Sequence, residues 1–133
     1  MNEKILIVED NPVNLELVTD LLEAEGFSVY AACSAEEALR AARAIRPDLI
    51  LMDLSLPGMD GLAATKTLQT DPATSHCPVV ALTAHAMKGD ADLARRAGCK
   101  GYLTKPIDTR TFVASVRGYL ALVNLAEIKP QTL

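Results

Sequence analysis

Asp48–Gly61 reads DLILMDLSLPGMDG. Its first six residues form a nearly continuous apolar run that closes on an acid, Asp53. A run of this kind suits a strand covered on both faces, as the inner strands of a parallel sheet are. Beyond it, Pro57-Gly58 marks a tight turn. Working outward, Lys4–Glu9 (KILIVE) and Pro78–Thr83 (PVVALT) repeat the pattern. Ser28–Cys33 (SVYAAC) and Gly101–Thr104 (GYLT) complete a set of five expected strands.

Helical patterns fill the gaps. Leu15, Val18 and Leu22 form one apolar stripe, with Gly26 as the expected C-terminal cap. Ser34-Ala-Glu-Glu37 is a capping box, opening a helix that carries Ala38, Ala41, Ala42 and Ile45 inward and that Pro47 limits. A third helix is expected from about Asp60 to Leu68, and a fourth from about Met87 to Ala97, stopping at Gly98. Asp108 caps a fifth, whose inner face is Phe112, Val116, Leu120 and Val123. The tail Asn124–Leu133, with Pro130 in it, is either frayed or an extension of that last helix. Strand and helix alternate five times. With right-handed crossovers, this gives a doubly wound α/β sheet with helices on both faces.

The chain has 133 residues, half of them hydrophobic, which is the size of one domain without a separate effector. Charge is uneven. Residues 1–85 hold 5 Lys/Arg against 13 Asp/Glu, and residues 86–133 hold 8 against 4, which points to two working surfaces of opposite sign. An acidic domain with no basic helix interleaved with aromatics is not built for nucleic acid. No apolar stretch nears the ~20 residues that span a bilayer, and the N-terminus lacks a signal-peptide pattern. Cys33, Cys77 and Cys99 are odd in number and far apart, which reads as buried reduced thiols of a cytoplasmic protein.

In a sheet of this kind, ligands bind beyond the carboxyl ends of the strands. The first strand ends in Glu9-Asp10, the third in Asp53 and the fourth in Thr83, while Lys105-Pro106 follows the fifth. Three carboxylates brought together repel unless their pKa values rise or a cation joins them. An all-oxygen set favours Mg²⁺ or Ca²⁺ over zinc, and few carboxylates with positions left for water and phosphate describe a Mg²⁺ site. Lys105 adds a positive charge and Thr83 a hydroxyl, the parts that phosphoryl transfer requires around a nucleophile. Asp53, between the others, is the natural nucleophile. His76 has no chemical neighbour in sequence. His85 is a loop residue with no call for a metal role, and Met52, Met59 and Met87 read as packing.

ILIVEDNPVN (Ile5–Asn14), DLILMDLSLPGMDG, VVALTA (Val79–Ala84) and YLTKP (Tyr102–Pro106) resemble the receiver domain of bacterial two-component response regulators, over roughly Lys4 to Val123. ALTAHAMKGD (Ala81–Asp90) and the DNPVN start are most similar to single-domain regulators of the DivK kind and to receivers attached to hybrid histidine kinases. The resemblance implies a flavodoxin-like sheet in the order 2-1-3-4-5, with residues 1–123 as the receiver. It implies Asp53 as the phosphoacceptor, with Mg²⁺ held by Glu9, Asp10, Asp53 and the main-chain carbonyl of Ser55. Thr83 becomes the switch hydroxyl, Tyr102 the switch aromatic and Lys105 the phosphate-binding cation, with a cis Lys105–Pro106 bond. Ser55 and His85 would flank the phosphoryl group and set its lifetime. The donor would be a histidine kinase or a histidine phosphotransfer protein, and the output a protein contact on the face of helix 4, strand 5 and helix 5. Such a domain is a signalling switch that catalyses only its own phosphorylation and dephosphorylation.

Three other classes fit less well. A phosphatase of the haloacid dehalogenase type needs a second Asp two residues after its nucleophile, where this chain has Ser55, and a cap insertion. A flavodoxin needs a Ser/Thr/Gly-rich phosphate loop after strand one, where Glu9-Asp10 would repel phosphate. A receiver-like scaffold that is never phosphorylated usually lacks the acidic pair, the Asp or the Lys, and all are present.

Overall fold

In a computed structural model of the protein, β1 (Lys4–Val8), α1 (Pro12–Glu23), β2 (Ser28–Ala32), α2 (Ala35–Ile45), β3 (Leu49–Asp53), α3 (Gly61–Thr70), β4 (Val79–Thr83), α4 (Lys88–Ala97), β5 (Gly101–Thr104) and α5 (Phe112–Thr132) follow one another. The structure describes residues 3–54, 61–83 and 88–132, apart from the side chains of 88–91 and 123–132. The expected helix starts at Asp60 and Met87, the Pro57-Gly58 turn, Met59 and the inward side of Val123 lie outside the described residues.

The five strands are parallel, in the order β2-β1-β3-β4-β5. Three strands fall one residue short of the expected C- or N-terminal limit at Glu9, Cys33 and Asp48, and a fourth starts at Val79 rather than Pro78. The ladder still reaches past these ends, since the Glu9 amide donates to the Ala32 carbonyl at 3.0 Å and Ile50 to Pro78 at 2.9 Å.

Alternation along each strand splits the core between the two faces. Leu6, Val8, Ile50, Met52, Val79 and Ala81 pack under α2, α3 and α4 with Ala38, Ala42, Ala64, Leu68 and Ala94. Ile5, Ile7, Leu49, Leu51, Val80 and Leu82 pack under α1 and α5 with Val18, Leu22, Phe112, Val116 and Leu120. Each fully buried Leu or Ile is worth about 1.5–3 kcal/mol, so β1, β3 and β4 form the stiff centre of the molecule. The small alanines of α2 let that helix sit close on the sheet.

Local signals agree. Ser34 Oγ accepts the Glu37 amide at 3.2 Å, and Glu37 Oε2 reaches back to accept the Cys33 amide at 2.9 Å. α2 ends with Arg46 in the left-handed region, just ahead of buried Pro47. Gly26 and Gly98 end α1 and α4 with φ of 92° and 111°. The backbone of α5 runs on to Thr132, so the tail prolongs the last helix. One expectation is corrected. Cys77 and Cys99 are buried, but Cys33 is exposed, because it lies past the end of β2, the strand at the sheet's margin. No helix among the described residues is long and apolar enough to cross a membrane.

Candidate phosphoryl-transfer site

The carboxyl end of the sheet gathers the charged residues. β1 delivers Glu9, β3 Asp53 and β4 Thr83, all buried. Asp10 follows Glu9 and is exposed. Carboxylate oxygens of Glu9, Asp10 and Asp53 lie within 4.8 Å of one another. Lys105, just past β5, stands between two of them. Its Nζ is 2.8 Å from Glu9 Oε1 and 3.0 Å from Asp53 Oδ2. Its own amide donates to the Thr83 carbonyl at 2.7 Å, which ties the lysine to the end of β4. The Lys105–Pro106 peptide is cis.

The electrostatics follow from burial. Glu9 is 2% exposed, and desolvation, then the neighbouring Asp53 carboxyl, push its pKa above the usual carboxylate value against the pull of Lys105. Burial pulls Lys105 down, but Glu9 and Asp53 outweigh it and hold its pKa above 10.5. Lys105 thus pairs with two of the three carboxylates gathered there. Three hard oxygen donors in reach of one point, short of positive charge, fit a Mg²⁺-sized dication.

Two contributors escape the reading of the sequence. Asn11 caps α1, its Oδ1 accepting the amides of Val13 and Asn14, and its own amide donates to Glu9 Oε2 at 3.3 Å. It thereby steers the buried carboxylate. The signal was present as Asn11-Pro12, a cap followed by a proline suited to a first turn. Gly61 packs against the end of β3, a contact no local pattern announces. Tyr102 is 38% exposed, and the Tyr119 hydroxyl donates to its carbonyl at 3.3 Å. Ser55 and His85 lie outside the described residues.

Known proteins resemble this chain over nearly its whole length. The response regulator receiver domain family matches residues 5–117. The polar-differentiation response regulator DivK of Brucella ovis is 46% identical over 120 residues, which are 90% of this chain and 98% of that one. Among solved structures, a CheY-like receiver domain protein of Methanospirillum hungatei is 25% identical with a TM-score of 0.85, covering 93% of this chain and 98% of its own. The receiver domain of the Pseudomonas aeruginosa sensor histidine kinase PA1611, solved with a magnesium ion coordinated in its active-site cleft, is 34% identical with a TM-score of 0.82, covering 91% and 99%. In sequence as in strand order, the chain belongs to the response regulator receiver family, the phosphoacceptor switches of two-component signalling.

Proposed function

We propose that Asp53 is the phosphoacceptor and that Glu9, Asp10, Asp53 and the main-chain carbonyl of Ser55 hold Mg²⁺. The observation that carries this is Lys105 bridging Glu9 and Asp53 beside a third carboxylate, at the end of the central strands. A carboxylate oxygen of Asp53 attacks the phosphorus of a phosphohistidine on a histidine kinase or a histidine phosphotransfer protein. The P–N bond breaks as the P–O bond forms, and the imidazole leaves with the electron pair. Bound Mg²⁺ supplies charge neutralisation at the phosphoryl oxygens. Lys105 neutralises a further oxygen, and the Thr83 hydroxyl donates to another. The pull on Thr83 opens space for Tyr102 to turn inward, which biases a two-state equilibrium. Ser55 and His85 set the lifetime of the acyl phosphate.

The output is a protein partner on the face of α4, β5 and α5. Arg95 and Arg96 on α4 and Lys100 just ahead of β5 suit an acidic docking patch rather than nucleic acid or membrane, whereas Arg117 is paired with Glu25 at 3.0 Å beyond α1 and Arg110 with Asp108. The domain spans residues 1–123, acts in the cytoplasm and turns over only its own phosphoryl group, with the tail from 124 on extending α5 as far as Thr132. The test is intact mass after incubation with a small phosphodonor and Mg²⁺. The wild type gains one phosphoryl group, while Asp53→Asn and the chelated protein gain none. Equal labelling of Asp53→Asn overturns the assignment.

A further inference from the structure

Gly61 is buried at the first position of α3, and its φ is not in the left-handed region, so backbone freedom does not explain a glycine there. Space does. A Cβ on Gly61 would stand 2.7 Å from the carbonyl oxygen of Asp53 and 2.9 Å from the Cα of Leu54. Both are closer than real Cβ contacts, and both obstacles are backbone. The other described glycines differ. Gly98 and Gly101 face the side chains of Gln69 and Tyr119, and Gly26 and Gly118 face open space.

The β3 side of this contact is tied down. Asp53 is the last residue of the β3 ladder, and the Leu54 amide donates to the Leu82 carbonyl at 3.0 Å. On the other side, the fully buried Thr65 hydroxyl donates to the Gly61 carbonyl at 2.9 Å. Cys99, at the foot of β5, has its Sγ 4.0 Å from that hydroxyl.

We propose that the first turn of α3 is the backstop of the phosphoacceptor, with Gly61 and Thr65 as positioning residues that set where the Asp53 carboxylate stands relative to Glu9, Asp10 and Lys105. Asp53 ends its strand, where the ladder no longer fixes it from both sides. A carboxylate that serves as both metal ligand and nucleophile tolerates little displacement. The close approach of two backbones supplies the missing constraint. This rests on the reading of Asp53 given above.

The test measures Mg²⁺ affinity by calorimetry, the rise in melting temperature on adding Mg²⁺, and the Mg²⁺ dependence of labelling by a small phosphodonor. Gly61→Ala should raise the half-saturating Mg²⁺ roughly tenfold in all three. Thr65→Val, which keeps the side chain's shape and loses the hydroxyl, should raise it about threefold, and Thr65→Ser should restore it. Gly118→Ala should match the wild type. A purely structural role would lower the melting temperature of metal-free protein and leave Mg²⁺ half-saturation unchanged. That result in folded Gly61→Ala overturns the proposal, and if Gly61→Ala does not fold, the same result in Thr65→Val does so. A wild type that binds Mg²⁺ but labels elsewhere than Asp53 would sink the functional reading instead, since the calorimetry does not depend on the labelled residue.

Discussion

β3 and β5 flank the same strand, β4, and end at the same edge of the sheet, yet they are built differently. Every residue of β3 is buried, and the strand closes on Asp53 at 2% exposure. β5 alternates half-buried and exposed positions, with Tyr102 at 38% exposure. β3 is held by ladders on both sides, while β5 is paired on one side and pinned on its face by Tyr119, whose ring occupies the space a side chain at Gly101 would need. Regions with few buried contacts open at lower cost than the core. On the proposed reading, the chemistry sits on the stiff strands and the responsive surface on the soft one. Lys105 links them, since its side chain belongs to the buried cluster and its backbone continues β5.

That division is open to attack from both sides. Lys105→Ala removes the one cation paired with Glu9 and Asp53 among the described residues. Phosphodonor labelling should slow about 100-fold, the usual effect of deleting a charge-stabilising group. A rate within twofold of wild type would show that Lys105 serves only to fasten β5.

A smaller effect should follow pH. The folded pKa of Glu9 is raised above 4.5, so the folded protein holds that proton more tightly than the unfolded chain. Glu9's contribution to the stability of metal-free protein is full below 4.5 and is lost as pH rises through the raised value. Mg²⁺ needs the ionised carboxylate, so its affinity should climb over the same window, by at most about tenfold per pH unit. Lys105, raised above 10.5, loses its contribution only in strong alkali and does not disturb this range. The melting temperature with and without Mg²⁺, from pH 4.5 to 8, gives the answer. A Mg²⁺-induced rise that does not change with pH would place Glu9 outside the metal site.

The smallest change is expected on the soft side. Arg95 and Arg96 are exposed on α4, where Arg95 pairs with Asp92 at 3.1 Å. Charge reversal of both should weaken a phosphorylation-dependent partner several-fold and flatten its salt dependence, as rim charges do, with Asp53 labelling unchanged. Undiminished binding would move the output surface toward α1 near Asn14 and Leu15.

How much of this the sequence discloses depends on the range of the interaction. β1, β3 and β4 are legible because strands covered on both faces must be apolar throughout, and α2 because its cap is a contact within four residues. Glu9, Asp10, Asp53, Thr83 and Lys105 are legible as strand ends, and the parallel order brings their edge together. Asn11 went unread although Asn11-Pro12 carries a cap signal, and its bond to Glu9 has no sequence signal at all. Gly61 was not legible, because a glycine demanded by a neighbouring backbone looks in sequence like one demanded by a turn. Cys33 was misjudged because it was read as the last residue of β2, whereas the strand ends at Ala32 and leaves it in the open.

The central claim is that one acid on the stiff strand, and no other, carries the phosphoryl group. Borohydride reduces an acyl phosphate to an alcohol and so marks the residue that held it. Wild-type protein treated with phosphodonor and Mg²⁺, then reduced and digested, should yield homoserine in place of Asp53, with Glu9, Asp10 and every other carboxylate intact. Homoserine elsewhere, or phosphate bound at a residue that borohydride does not convert, would contradict the account.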